Sequence, residues 1–236
     1  MKPVAIIQHD AHDGPSYFAT WLAERGIAYE VFRMFEGAAL PASIADYSGL
    51  CMLGGPMSAN DALPYFGPLL AQVREAIGLE IPVIGHCLGG QLLSRALGGT
   101  VQASENAEIG WSQLEPVHAD ASQWFADAEP LQLFQWHGES FSIPPGAVQL
   151  LRGAHCANQA YVVGGMHLGM QFHCEVDDAK VREWLTLGAG EMQRCVSPGV
   201  QQAKAILQTL DTDLARSQRI ASHIYARWAQ GLKRVR

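Results

Sequence analysis

An α/β fold built on a doubly wound, mostly parallel central sheet is what the sequence predicts, and three observations predict it. Apolar runs at 2–8, 28–33, 50–53 and 82–86 alternate with helical patterns at 16–25, 64–79 and 88–97. Strand, helix and strand at such spacing make a parallel sheet with crossover helices. Beyond residue 100 the order changes: β-like runs at 100–103, 109–116, 131–136, 148–151, 159–163 and 168–173 follow one another with few helices between, which adds a later antiparallel section. Leu207, Leu210, Leu214, Ile220, Ile224 and Trp228 then recur at helical spacing and predict a long C-terminal helix over 200–228.

Each element has a local cause. Residues 4–7 are continuously apolar, as in a strand covered on both faces, and a polar loop over 9–14 separates them from a helix that Gly26 stops. The third strand runs directly into Gly54-Gly55-Pro56. The helix over 88–97 carries Leu88, Leu92, Leu93, Ala96 and Leu97 on one face, and Gly98-Gly99 end it. Residues 176–187 read as a further helix. At 236 residues and 48% hydrophobic content the chain can bury a full-sized core. The expected organisation is a main domain over 1–190 and a helical extension over 191–236.

Composition narrows the function classes. The apolar run at 4–7 is too short for a signal-peptide core, and no stretch approaches the ~18 apolar residues of a membrane span, so the expected compartment is the cytoplasm, with no membrane partner. A formal net charge of −7 argues against nucleic-acid binding, which needs a positive field. The exception is 216–236, where Arg216, Arg219, Arg227, Lys233, Arg234 and Arg236 meet no acidic residue. That tail reads as a solvated helix face, with a docking surface for an acidic partner as the alternative. Cys51, Cys87, Cys156, Cys174 and Cys195 are odd in number and form no C-x-x-C pair, which suggests neither disulfides nor a zinc site.

One cysteine stands apart. Cys87 lies where the fourth strand meets a helix, inside Gly85-His86-Cys87-Leu88-Gly89. Thiolate is the nucleophilic form of cysteine, and helix N-terminal N–H groups favour negative charge. Flanking glycines allow a sharp turn and close approach of substrate. Gln91, one turn on, shares the helix face of Cys87 and can reach a bound substrate. A nucleophile needs a base and an orienting acid. His173 closes a strand-like run and Glu175 follows two residues later, on the same side of an extended chain. His137 is the rival base, and His86 reads as structural. Backbone N–H groups of Leu88 and of the Gly54-Gly55 loop can form an oxyanion hole. The loop His9-Asp10-Ala11-His12-Asp13 sits near the pocket rim; it reads as solvated or pocket-lining rather than metal-binding.

Taken in order, Leu53-Gly54-Gly55-Pro56, Gly85-His86-Cys87-Leu88-Gly89-Gly90-Gln91 and Gly169-Met170-Gln171-Phe172-His173-Cys174-Glu175 resemble the three signatures of class I glutamine amidotransferases, across about residues 1–190. Trp136-His137-Gly138-Glu139-Ser140-Phe141 further resembles the free-standing, GMP-synthase-like branch. The resemblance implies a flavodoxin-like sheet, Cys87 as nucleophile, His173 as base, Glu175 as its partner, Gly55 and Leu88 as oxyanion donors, and Gln91, His137 and Gly138 as substrate contacts. It implies glutamine hydrolysis through a γ-glutamyl thioester without metal or organic cofactor, and ammonia released or passed to a separate synthetase or acceptor subunit. Two alternatives stand beside it: a hydrolase of γ-glutamyl amides or peptides acting alone, and a non-catalytic binding protein using the same fold. One departure is visible, Cys174 where the family usually has proline; a packed small residue is the expectation there.

Overall fold

The computed structural model describes residues 1–125 and 131–233. In chain order its elements are β1 Val4–Gln8, α1 Ser16–Glu24, β2 Tyr29–Arg33, β3 Gly49–Met52, α2 Phe66–Gly78, β4 Val83–His86, α3 Leu88–Ala96, β5 Val101–Pro116, α4 Ala121–Phe125, β6 Leu131–Phe141, β7 Ala147–Gly153, β8 Ala160–Val163, β9 His167–Met170, α5 Asp178–Leu187, α6 Ala189–Arg194, β10 Gly199–Val200 and α7 Ala203–Ala229.

One sheet holds them, in the order β10-β5-β7-β8-β9-β4-β3-β1-β2, with β6 on β5. The run β2-β1-β3-β4-β9 is parallel throughout, and β8, β7, β5 and β6 continue it antiparallel. This is the expected architecture. Alternation along β1 divides the core, because successive side chains leave a strand on opposite faces. Val4 and Ile6 join Phe18, Trp21, Ile84, Ile224, Tyr225 and Trp228 on one face, under α1 and α7. Ala5 and Ile7 join Leu69, Val73, Leu88 and Leu92 on the other, under α2 and α3. The C-terminal helix therefore shares its core with the first strand and first helix. Of the basic residues in the C-terminal tail, Arg216 pairs with Asp213 at 3.5 Å and Lys233 with Glu80 at 3.4 Å, while Arg234 and Arg236 lie outside the described residues.

Three details differ from the sequence reading. The runs at 100–103 and 109–116 are one strand, β5, whose register against β6 shifts between Ala103 and Glu108. An extra stretch of polar chain bulges there, which breaks the alternation without ending the strand. β6 extends through His137 to Phe141, and β9 stops at Met170. His173 instead forms an isolated bridge to Phe134 of β6. The order of strands reverses between β1 and β3, and in open α/β sheets ligands bind beyond the C-terminal strand ends at such a point. Beyond those ends lie the loop at 9–14, Gly54-Gly55, Cys87 and His173.

Candidate active site

Cys87 occupies a backbone conformation that L-residues rarely adopt, φ 47° and ψ −108°. Such strain costs about 1–3 kcal/mol and persists only where surroundings over-determine it. The surroundings here are tight: a Cβ at Gly85 would run into the backbone of Gly89 and Gly90, and one at Gly89 into the Met52 carbonyl. Strand and helix approach so closely that the turn between them has one shape. It leaves Cys87 6% exposed at the wall of a cavity of about 660 Å³. Sγ accepts from Gln171 Nε2 at 3.5 Å and sits 3.8 Å from the Trp136 carbonyl oxygen.

His173 and Glu175 meet the cysteine from β9's side. Glu175 Oε1 lies 2.7 Å from His173 Nδ1, and the same ring faces Cys87 across the cavity wall. Burial opposes charge on this imidazole, yet Glu175 and Cys87 outweigh it and raise its pKa well above the ordinary value. Burial likewise opposes charge on Glu175, and His173 and Lys180 together hold it well below the usual carboxylate range. The Trp184 ring stands edge-on to His173, centroids 4.8 Å apart, and fixes its plane.

The other candidates divide. Gly55, Gln91, His137 and Gly138 line the cavity with Cys87 and His173. Leu88 does not: its side chain is packed in the core, and its N–H belongs to the first turn of α3, where N–H groups lack intrahelical acceptors. Gln91 Nε2 donates to the Glu139 carbonyl at 3.2 Å and to Gln171 Oε1 at 3.3 Å. As rival base, His137 is occupied on both ring nitrogens, by Glu108 Oε2 at 3.1 Å and the Glu139 carbonyl at 3.1 Å. His86 is fully buried, bonded to Tyr225 OH at 3.2 Å, with its pKa pushed by burial to about 4. Cys174 is buried too, its Sγ 3.4 Å from the same hydroxyl, and burial pushes its thiol far up.

The loop at 9–13 does not converge on one point. His9 bonds Tyr65, His12 pairs with Glu183 and Asp13 with Lys180. Among the described residues Asp13, His173 and Glu175 come close enough to share an ion, but the ammonium of Lys180 already faces both carboxylates. Residues that sequence reasoning left without a role are Gln171, Lys180 and Trp184. Gln171 alternates with His173, and Lys180, Trp184 and Leu187 follow helical spacing, so both signals were local and unspecific.

The profile of glutamine amidotransferase class I matches residues 17–183, most of the chain. The chain belongs to that family. Class I membership fits the architecture of solved relatives: a glutamine amidotransferase from Methylobacillus flagellatus superposes with a TM-score of 0.98 at 49% identity, over 100% of this chain and 97% of that one. A glutamine amidotransferase from Thermotoga maritima gives 0.86 at 25% identity, over 97% and 98%. Among curated relatives, the glutamine amidotransferase-like protein YfeJ of Salmonella typhimurium is 28% identical over 73% of this chain and 75% of its own. The glutamine-hydrolysing GMP synthase of Latilactobacillus sakei is 30% identical over 67% of this chain, which spans 30% of that protein. No helix among the described residues is long and apolar enough to cross a membrane.

Burial of the histidines sets a pH dependence of stability. Burial lowers the pKa of His9 to about 3 and of His86 and His167 to about 4, from 6.5. Their folded-state values are depressed, so the stability of the neutral forms is complete above pH 6.5 and is lost as pH falls toward 4. Three imidazoles outweigh the two groups that act the other way, His173, whose raised pKa favours the folded protein as pH falls through 6.5, and Asp13, whose carboxyl burial pushes upward. The urea midpoint is expected to fall between pH 7 and pH 5; a midpoint unchanged over that interval contradicts the neutral assignment.

Proposed function

We propose that this amidotransferase hydrolyses the side-chain amide of glutamine through a γ-glutamyl thioester on Cys87. The observation that carries the reading is the strained turn at Cys87, which faces a cavity wall shared with the Glu175-held imidazole of His173. The Cys87 thiolate attacks the carboxamide carbon, and the N–H groups of Gly55 and Leu88 hold the oxyanion. His173 gives its proton to the departing nitrogen, the C–N bond breaks, and ammonia leaves. His173 then takes a proton from water, whose oxygen attacks the thioester. The C–S bond breaks, glutamate departs, and the Cys87 thiolate and the His173 imidazolium are restored. Gln91 and Gly138 face the bound amino acid, and none of these steps needs a metal or an organic cofactor.

A relative in Saccharolobus solfataricus that is one subunit of a glutamine-hydrolysing GMP synthase supports transfer of the ammonia to a separate acceptor. The size of the cavity favours a second reading, hydrolysis of a larger γ-glutamyl amide, since 660 Å³ exceeds the room one amino acid needs. Release of ammonia or amine from glutamine and from γ-glutamyl conjugates, with the Cys87→Ala variant as blank, tests both. Turnover of glutamine at millimolar concentration supports the first; turnover of conjugates alone supports the second. Equal release by the blank contradicts each.

A further inference from the structure

Lys180 is a lysine with a nearly closed environment, its side chain 4% exposed. Lysines are almost never so buried unless paired. Its Nζ donates to the Gly14 carbonyl at 2.6 Å and lies 3.4 Å from Asp13 Oδ1 and 3.5 Å from Glu175 Oε1, with the Trp184 ring centroid 5.0 Å away. The position is unfavourable for helix α5 itself. Asp177 caps that helix by accepting from Lys180 N, which puts the ammonium-bearing residue in the first turn, where the dipole disfavours a cation. Something other than helix stability accounts for a lysine there.

Glu175 shows what it serves. Oε1 faces His173 and Lys180, whereas Oε2 has no hydrogen-bond partner and stands 4.0 Å from His86 Nε2. His86 is neutral at pH 7 because burial lowers its pKa to about 4. Among the described residues the groups beyond it are neutral: Tyr225 of α7, Cys174, and Cys51 of β3, whose Sγ is 3.8 Å from His86 Nδ1, all with pKa values raised by burial. Asp13 faces the pair from the loop after β1, and Cys87 faces His173 from the turn before α3. When His173 gives up its proton, Lys180 is the one cation still facing Glu175 among the described residues.

We propose that Lys180 is a positioning residue of the hydrolytic site: it keeps Glu175 paired while His173 is neutral, and so lets the imidazole release its proton. The inference rests on the reading of His173 as the base. Without Lys180, loss of that proton leaves a buried carboxylate unpaired, which is costly, so His173 holds the proton more tightly. Asp13 acts with the opposite sign, because it shares the ammonium with Glu175. The tie also explains the loop at 9–14, whose Asp13 and Gly14 are drawn to the site through this one side chain.

The test is an NMR titration of the His173 imidazole in the Cys87→Ala background, which lacks the thiolate as the thioester does. Lys180→Met is expected to raise the midpoint by about one unit, a tenfold smaller neutral fraction on the acid side. Asp13→Asn is expected to lower it, and Lys180→Arg to leave it within about 0.3 unit. With Cys87 present, the acid limb of kcat follows the same order. Should Lys180→Met not fold, Asp13→Asn and Lys180→Arg carry the comparison by themselves. A midpoint unmoved or raised by Asp13→Asn, or unmoved by Lys180→Met, overturns the proposal. Absence of turnover in the unsubstituted enzyme overturns the hydrolytic reading instead, while the NMR midpoints still report on Lys180.

Discussion

Replacing Cys87 with alanine or glycine is expected to reduce glutamine turnover to the rate without enzyme, and the glycine variant is expected to be the more stable of the two by about 1 kcal/mol. The order is the reverse of ordinary helix-boundary behaviour, where glycine costs stability relative to alanine. It follows from the backbone: at φ 47° and ψ −108° any Cβ is strained, and glycine alone removes the strain. Gly85 and Gly89 cannot relax it, because each already touches backbone of the neighbouring element. Activity and stability are therefore expected to separate at one position, with Cys87 held at a cost to the fold. Urea unfolding of the two variants measures the difference. An alanine variant as stable as the glycine variant contradicts the strain.

The second large effect is expected for Glu175→Gln, a change that keeps shape and removes charge. By analogy with hydrolases in which a carboxylate orients the base, kcat falls by about 10²–10⁴-fold. The His173 proton is also held less tightly, since Glu175 is the leading group that raises its affinity. The acid limb of the rate profile should then move down while the maximum drops. A merely structural defect would lower the maximum and leave the limb in place. A rate within about threefold of the parent enzyme contradicts the role assigned to Glu175. The 2.7 Å contact to Nδ1 and the complete burial of the carboxylate make this position insensitive to solvent compensation.

Much of the parallel half is legible in the chain because its inner strands β1, β3 and β4 are largely apolar, and buried parallel strands read as continuous runs. Residues 4–7 and 82–86 are cases in point, each ending in a glycine or polar loop that marks the functional edge. The antiparallel half is less legible. Polar residues at 104–106 hide the continuity of β5, and only pairing with β6 reveals that the chain bulges rather than turns. Cys87, His173 and Glu175 stand out as candidates since each lies where a strand-like run gives way to another element. Lys180 does not stand out. A lysine on an amphipathic helix reads as solvated, and its partner Asp13 is 167 residues distant, beyond any periodicity. Trp184 reads as core for the same reason, although its ring edges against His173.

The most direct measurement of the central claim is covalent capture. A diazoketone analogue of glutamine, incubated with the protein and followed by intact-mass and peptide mass spectrometry, should leave one adduct, on Cys87, with loss of dinitrogen and formation of a C–S bond. Excess glutamine should slow its appearance. Cys51, Cys156 and Cys174, all buried, and the half-buried Cys195 should remain unmodified, and the Cys87→Ala variant should take up no label. Label on another cysteine, or none while glutamine is being hydrolysed, contradicts Cys87 as the nucleophile.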